Sequence, residues 1–206
     1  MAYADFTLSD VLERFDLSAV EGIDLFADTP GVEPSDLLRG LLDRATDMAL
    51  AIGTEKAKSE FITAQVLLEV RERFRPRASL FSGNEFPVDS ARGLNGYCDF
   101  ILSRGHDQEF ITAPVMVVVE AKNDSLKSGV GQCAAEMVAA RMFNERKGNP
   151  VAVVHGTVTS GLNWRFFRLA GRNLYLDKTY YHIREVEKIL GILHAVMREE
   201  PLPAAA

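Results

Sequence analysis

The chain has 206 residues, 47% of them hydrophobic and 25% charged, with a formal net charge of −6. That length and apolar content suffice for a sizeable core, and the acidic balance excludes a basic nucleic-acid coat, so any phosphate-binding surface must be local. No apolar run approaches a membrane span and the N-terminus lacks a basic-then-apolar leader, so a cytoplasmic protein without membrane partners is expected.

Acids dominate up to Leu38: Asp5, Asp10, Glu13, Asp16, Glu21, Asp24, Asp28, Glu33 and Asp36 stand against Arg14 alone. Thr7 or Ser9 is placed to cap a short helix through Arg14 and Phe15. Thr29-Pro30-Gly31 signals a turn. Ser35-Asp36 opens a second helix, with Leu37, Leu38, Leu41, Leu42 and Ala45 at helical spacing, ending near Gly53. Residues 1–53 therefore read as an acidic helical extension packed on a core formed by residues 54–206, together one compact domain. Its acids read as a solvated face; the functional alternative is an interface, or a guard that repels non-substrate nucleic acid.

Thr54 to Phe74 is the longest helix candidate. Ala57, Phe61, Ala64, Leu67 and Leu68 share a stripe, and Glu60 falls on it by angular count. A carboxylate there either sits at the stripe's edge in water or is used. Arg71, Arg73, Arg75 and Arg77 follow, with Pro76 closing the helix. They suit a solvated helix end and form the densest positive patch in the chain.

Leu80 to Val88 reads as a strand interrupted by Ser-Gly-Asn, and Tyr97 to Ser103 as its hairpin partner across the Gly93-Leu94-Asn95-Gly96 turn. Asp99 is a carboxylate inside an otherwise apolar strand, where Asp is disfavoured. Pro114 to Lys122 is the stretch around which the chain is organised. Met116 to Val119 is an apolar run suited to burial on both faces. Period-2 alternation then puts Glu120 and Lys122 on the face of Met116 and Val118. A charged pair at the mouth of a buried strand is costly unless paired, hydrated or used.

After a polar turn over Asn123 to Gly129, Val130 to Phe143 is helical. Gln132 and Glu136 share a stripe with Ala139 and Phe143. They are either an exposed pair or a polar seam facing the strand end. Gly148-Asn149-Pro150 stops the helix. Val151 to His155 is a strand, which the right-handed crossover makes parallel to the Glu-Ala-Lys strand, with His155 structural at its end. Trp164 to Leu169 and Asn173 to Leu176 form a hairpin around Gly171-Arg172; its aromatics suit a core better than base stacking. Val186 to Met197 is an amphipathic helix, and Pro201 to Ala206 a frayed tail. Cys98 and Cys133 lack metal-ligand spacing and read as reduced, buried thiols.

Glu60, then Gly96-Tyr97-Cys98-Asp99-Phe100, then Glu120-Ala121-Lys122, then Gln132 resembles the PD-(D/E)xK nuclease superfamily, the restriction-endonuclease-like fold. The resemblance spans about Thr54 to His155. The run Glu-Ala-Lys-Asn with Gly-Gln-Cys-Ala-Ala-Glu-Met also looks like uncharacterised bacterial members of that superfamily. Two departures stand out: Cys98 precedes the aspartate where Pro is usual, and Glu136 occupies a position where one branch has Tyr.

The resemblance implies an α/β fold with a mixed, mainly antiparallel sheet flanked by helices. It also implies Mg²⁺- (or Mn²⁺-) dependent hydrolysis of phosphodiester bonds, with DNA as the partner. Asp99, Glu120 and the Ala121 carbonyl would offer the hard oxygen ligands Mg²⁺ prefers, with Glu60 direct or through water. Lys122 would orient or deprotonate the water, or neutralise developing charge, and Gln132 would position Lys122 or the phosphate. The rival expectation is a non-catalytic nucleic-acid-binding, accessory or structural protein that keeps the fold. The residues leave open DNA against RNA, sequence specificity, end against internal cleavage, and a homodimer.

Overall fold

A computed structural model describes residues 1–123 and 125–198. Thr7 caps the first helix, α1 (Leu8–Arg14). Its Oγ1 accepts from the Asp10 N–H while Asp10 Oδ2 accepts from the Thr7 N–H, a reciprocal capping box. A short strand unforeseen in the sequence, β1 (Ser18–Val20), follows. Helix α2 (Asp36–Ile52) starts at Ser35, whose Oγ accepts from the Leu38 N–H, and stops at Gly53 with φ 74°. Its buried stripe is narrower than expected: Leu38, Leu42 and Ala49 are inside, whereas Leu37 is 71% exposed.

The long helix expected from Thr54 is continuous but not uniformly α. It runs as α3 (Glu55–Lys58), a π-helical turn (Ser59–Thr63) and α4 (Ala64–Arg73). The wider turn inserts a residue into the register. The buried set after Ala57 is therefore Ile62, Thr63, Val66, Leu67 and Val70, and Leu68 is exposed. Glu60 leaves the core-facing stripe for the same reason, correcting the angular count. Gln65 Nε2 donates to the Glu60 carbonyl at 3.2 Å, engaging a backbone oxygen at the π turn.

Strands β2 (Ser79–Glu85) and β3 (Tyr97–Ser103) pair antiparallel, and β4 (Val115–Ala121) pairs antiparallel with β3. Every β4 residue is buried. Helix α5 (Val130–Arg146) crosses over to β5 (Val153–Thr159), which is parallel to β4 as the crossover rule requires. β5 is longer than expected, so His155 lies inside the strand rather than at its end. β6 (Asn163–Ala170), β7 (Asn173–Leu176), β8 (Tyr181–His182) and helix α6 (Val186–Arg198) complete the described fold. The tail from Pro201 to Ala206 lies outside the described residues.

Among those residues the sheet has eight strands in the order β1-β7-β6-β5-β4-β3-β2, with β8 against β6. β1 with β7 and β4 with β5 are parallel; the other pairs are antiparallel. The chain is thus α/β with a mixed, mainly antiparallel sheet flanked by helices. Helix α5 lies on one face, against Gly156 and Val158. It is buried nearly all round because α1 and the turn at Tyr3–Asp5 cover its outer side. Gly131 is needed there: a Cβ would come within 2.2 Å of the Phe6 carbonyl oxygen. α4 and α6 pack on each other and on β2 and β4. Trp164, Phe166 and Phe167 are core, with Trp164 Nε1 donating to the Gly161 carbonyl at 3.1 Å. Both cysteines are free and buried. No helix of the described residues is long and apolar enough to cross a membrane.

Candidate active site

The site is built where β4 leaves the sheet. The valine run keeps β4 dry along its length, so Glu120 is only 1% exposed. The register pairs Phe100 with Val119 and Ile101 with Val118; one step further puts Asp99 opposite Glu120. Residues opposite one another in antiparallel strands project from the same face. Here the ladder gives way to a side-chain bond. The Lys122 N–H donates to the Thr159 carbonyl of β5 at 2.8 Å, and the Ala121 N–H, facing β3, donates to Asp99 Oδ2 at 2.7 Å. Asp99 is thereby fixed against the Glu-Ala-Lys segment.

Glu120 is held by two donors. Lys122 Nζ donates to Oε1, and Gln132 Nε2, from the first turn of α5, donates to Oε2 at 2.7 Å. Burial, and next the charge of Asp99, push the Glu120 carboxyl up to about 8; Lys122 opposes that rise and Glu55 adds to it. Burial works against the Lys122 ammonium, but the hydrogen bond and charge of Glu120 outweigh it, so this lysine sits above its ordinary value. Gln132 also donates to Glu136 Oε1 at 3.1 Å, and its Oε1 accepts from Lys122 at 3.4 Å. Gln132 and Glu136 are therefore the polar seam, not an exposed pair. Glu136 is fully buried; burial, then Glu120, hold its carboxyl well above the usual range. Its Oε2 has no hydrogen-bond partner among the described residues.

The α5 N-terminus approaches closely because residue 129 is glycine. A Cβ there would lie 2.9 Å from Val158 Cγ1 and 3.0 Å from Lys122 Cγ. On the other side, Lys58 Nζ ties α3 to the strand exit through the Asn123 Oδ1, at 2.8 Å.

Beside Asp99 and Ala121 opens a cleft of about 270 Å³, with Glu55 and Glu60 on its helical wall. Gly83, in register opposite Asp99, keeps the space open: a Cβ there would meet no atom within 4 Å. Glu60 reaches this cleft from a half-exposed position, with its carboxylate paired to Lys56 Nζ at 2.8 Å. Glu55 was not anticipated. As a first-turn acid after the Thr54 cap it has an ordinary helix-dipole explanation, yet its charge acts on both Glu120 and Lys122. The fold thus brings Asp99, Glu120, Ala121, Lys122 and Gln132 together and leaves Glu60 on the rim.

Among the described residues no three His, Cys, Asp or Glu side chains gather closely enough to hold a metal ion. The Glu120 oxygens are turned to Lys122 and Gln132, and Glu60 to Lys56. The donor chemistry still fits a hard divalent cation. Asp99 and Glu120 repel one another across neighbouring strands, Asp99 and Ala121 border the cleft, and Mg²⁺ needs few protein ligands because it keeps several waters. No protein-family model and no curated protein matches the sequence.

Proposed function

We propose that the chain is a divalent-metal-dependent phosphodiesterase acting on nucleic acid, most simply a DNA nuclease, with a restriction-endonuclease-like arrangement of its core. The observation that carries this reading is the junction of Asp99 and Glu120. Asp99 lines an open cleft, and Glu120 on the neighbouring strand is buried beside it and hydrogen-bonded by Lys122 and Gln132. A structural ion pair would explain Lys122 and Glu120, but not a second carboxylate that pushes Glu120 up.

In this reading Asp99, Glu120 and the Ala121 carbonyl would hold Mg²⁺ or Mn²⁺, with Glu60 or Glu55 contributing from the cleft wall. Bound there, the metal would neutralise phosphate charge and acidify water. Lys122 stands as an ammonium, since its pKa is raised rather than lowered. That favours stabilising negative charge as it develops over removing a proton from water. Gln132 fixes the rotamers of Lys122 and Glu120 together, because one amide group touches both. A second reading, a nucleic-acid-binding or accessory protein without hydrolysis, is favoured by the pairing of Glu60 with Lys56 and by the engaged oxygens of Glu120.

The deciding assay is cleavage of plasmid and linear DNA, with RNA in parallel, in Mg²⁺, Mn²⁺ or EDTA. Lys122→Ala is expected to lose about a hundredfold or more in rate while keeping most of its nucleic-acid binding. Equal cleavage by wild type and Lys122→Ala would assign the activity to a contaminant and leave the second reading standing.

A further inference from the structure

Glu136 is a buried acid that the proposed chemistry leaves without a task. It sits on α5 one turn after Gln132 and is completely buried. Among the described residues its side chain accepts a single hydrogen bond, from Gln132 Nε2 to Oε1 at 3.1 Å, and Oε2 has no partner. The polar groups near it are engaged elsewhere. The Tyr3 hydroxyl donates to the Phe86 carbonyl at 2.6 Å, and Cys133 Sγ faces the Thr157 carbonyl at 3.7 Å. A buried carboxyl with an unused oxygen is costly, and an apolar side chain of similar length would pack there with less penalty.

What Glu136 does have is a hold on Gln132. The amide nitrogen carries two hydrogens. One goes to Glu120 Oε2 at 2.7 Å and the other to Glu136 Oε1. The amide oxygen is thereby left facing Lys122 Nζ at 3.4 Å. A flipped amide would set its oxygen against two carboxyl oxygens and its nitrogen against an ammonium, so the partners dictate the orientation. The two carboxyls are not equivalent. In the proposed reading Glu120 is a metal ligand, and an oxygen bonded to a cation is lost to Gln132. Asp99 and Ala121 line the cleft and Glu136 does not, so Glu136 keeps its bond to the amide.

We propose that Glu136 is a positioning residue, which holds the Gln132 amide with its oxygen toward Lys122 while Glu120 is committed to a cation. Lys122 then keeps a fixed partner in place of the carboxylate it gives up, and its ammonium stays aimed at the site where charge develops. The inference rests on the nuclease reading. It holds whether or not Glu136 carries a proton, since Oε1 accepts in both forms.

The first arm of the test needs no activity. The side-chain amide signals of Gln132 are followed by NMR in the metal-free protein and as Mg²⁺ is added, with Gln132→Ala as the assignment control. On Mg²⁺ binding one amide hydrogen is expected to lose its protection from exchange and the other to keep it; in Glu136→Met both are expected to lose it. Loss of both or retention of both in the wild type overturns the proposal. In the second arm DNA cleavage in Mn²⁺ is measured at limiting and saturating DNA. Glu136→Met is expected to lower kcat about tenfold or more while changing KM less than about twofold. Glu136→Gln, whose amide oxygen can accept from Gln132, is expected to restore most of the rate. An active wild type with an equally active Glu136→Met overturns the positioning role and leaves the nuclease reading intact. Equal losses in the two variants would tie the acid to packing or charge alone and also overturn it. A wild type that binds no metal and cuts no DNA sinks the nuclease reading itself, and the role of Glu136 falls with it.

Discussion

Replacing Asp99 by Asn removes one of the charges crowded at the strand end while leaving an oxygen that can accept the Ala121 N–H. In the metal-free fold burial and then Asp99 hold Glu120 at about 8, against an ordinary 4.5. At roughly 1.4 kcal/mol per pH unit, the ionised form of Glu120 carries a penalty of about 5 kcal/mol, part of it due to Asp99. A raised carboxyl binds its proton more tightly folded than unfolded. Its stabilising effect is therefore full below pH 4.5 and is lost as pH rises through 8. Without metal the wild type should lose melting temperature over that window, and Asp99→Asn should lose less. On the proposed reading a divalent ion would relieve the same repulsion and bind the folded state selectively. At about a hundred times its dissociation constant it adds roughly 2.7 kcal/mol, a rise of about 5–10 °C for a chain of this size. Asp99→Asn should abolish that rise. Thermal melts of both proteins at pH 5 and pH 8, in EDTA and in millimolar Mn²⁺, read all of these effects. An unchanged wild-type melting temperature in Mn²⁺, together with an Asp99→Asn that melts lower than wild type at pH 8, would refute the reasoning: the carboxylates would then be a structural pair.

Glu55→Gln is expected to weaken the Mn²⁺ response more than Glu60→Gln, because the charge of Glu55 reaches Glu120 and Lys122 while Glu60 is paired with Lys56; the reverse order in the same melts would restore Glu60 as the closer acid. Asn144→Ala should cost about 2–5 kcal/mol by chemical denaturation: the buried amide accepts from the Val115 N–H and donates to its carbonyl, and both groups lose their partner. His194, against the Phe74 ring and under burial, Arg73 and Arg198, titrates near 4 instead of 6.5. A depressed histidine contributes stability above its unfolded pKa that is lost as pH falls through the folded one, so the His194 contribution falls from pH 6.5 down to about 4 and opposes that of Glu120 where the two windows overlap. His194→Phe should flatten that window in urea melts, and an unaltered pH profile would exclude His194 as its source.

Strand β4, the βαβ crossover and the closing hairpin were legible because an apolar run, a stop signal and a turn each act locally. β1 and β8 were not, since two or three residues carry no periodicity and are strands only because β7 and β6 offer them an edge. The π turn was equally hidden. Nothing in Ser59–Thr63 departs from helical composition, and the extra residue is visible only as the burial of Ile62 and Thr63 in place of Phe61. That single insertion is why Glu60 could be placed on the right wall but on the wrong side of its helix.

At the strand end, composition identified the participants but not their pairing. Asp99 inside an apolar strand and Glu120 after a valine run were both anomalies, and both prove to lie at one junction. Glu136 was ambiguous for a definite reason: helical spacing places it with Gln132 whether the stripe faces water or sheet, and only the covering of α5 by Tyr3 to Arg14 decides. With that cover in place, Glu120 and Glu136 share the Gln132 amide, Lys122 bonds Glu120, and Asp99 is held by the Ala121 N–H. Apolar replacements of similar volume would pack there at less cost. A fold that keeps carboxylates near enough to raise one another's proton affinity has its local stability set below what packing alone would allow. On the proposed reading, a cation entering from solvent would recover that deficit on binding.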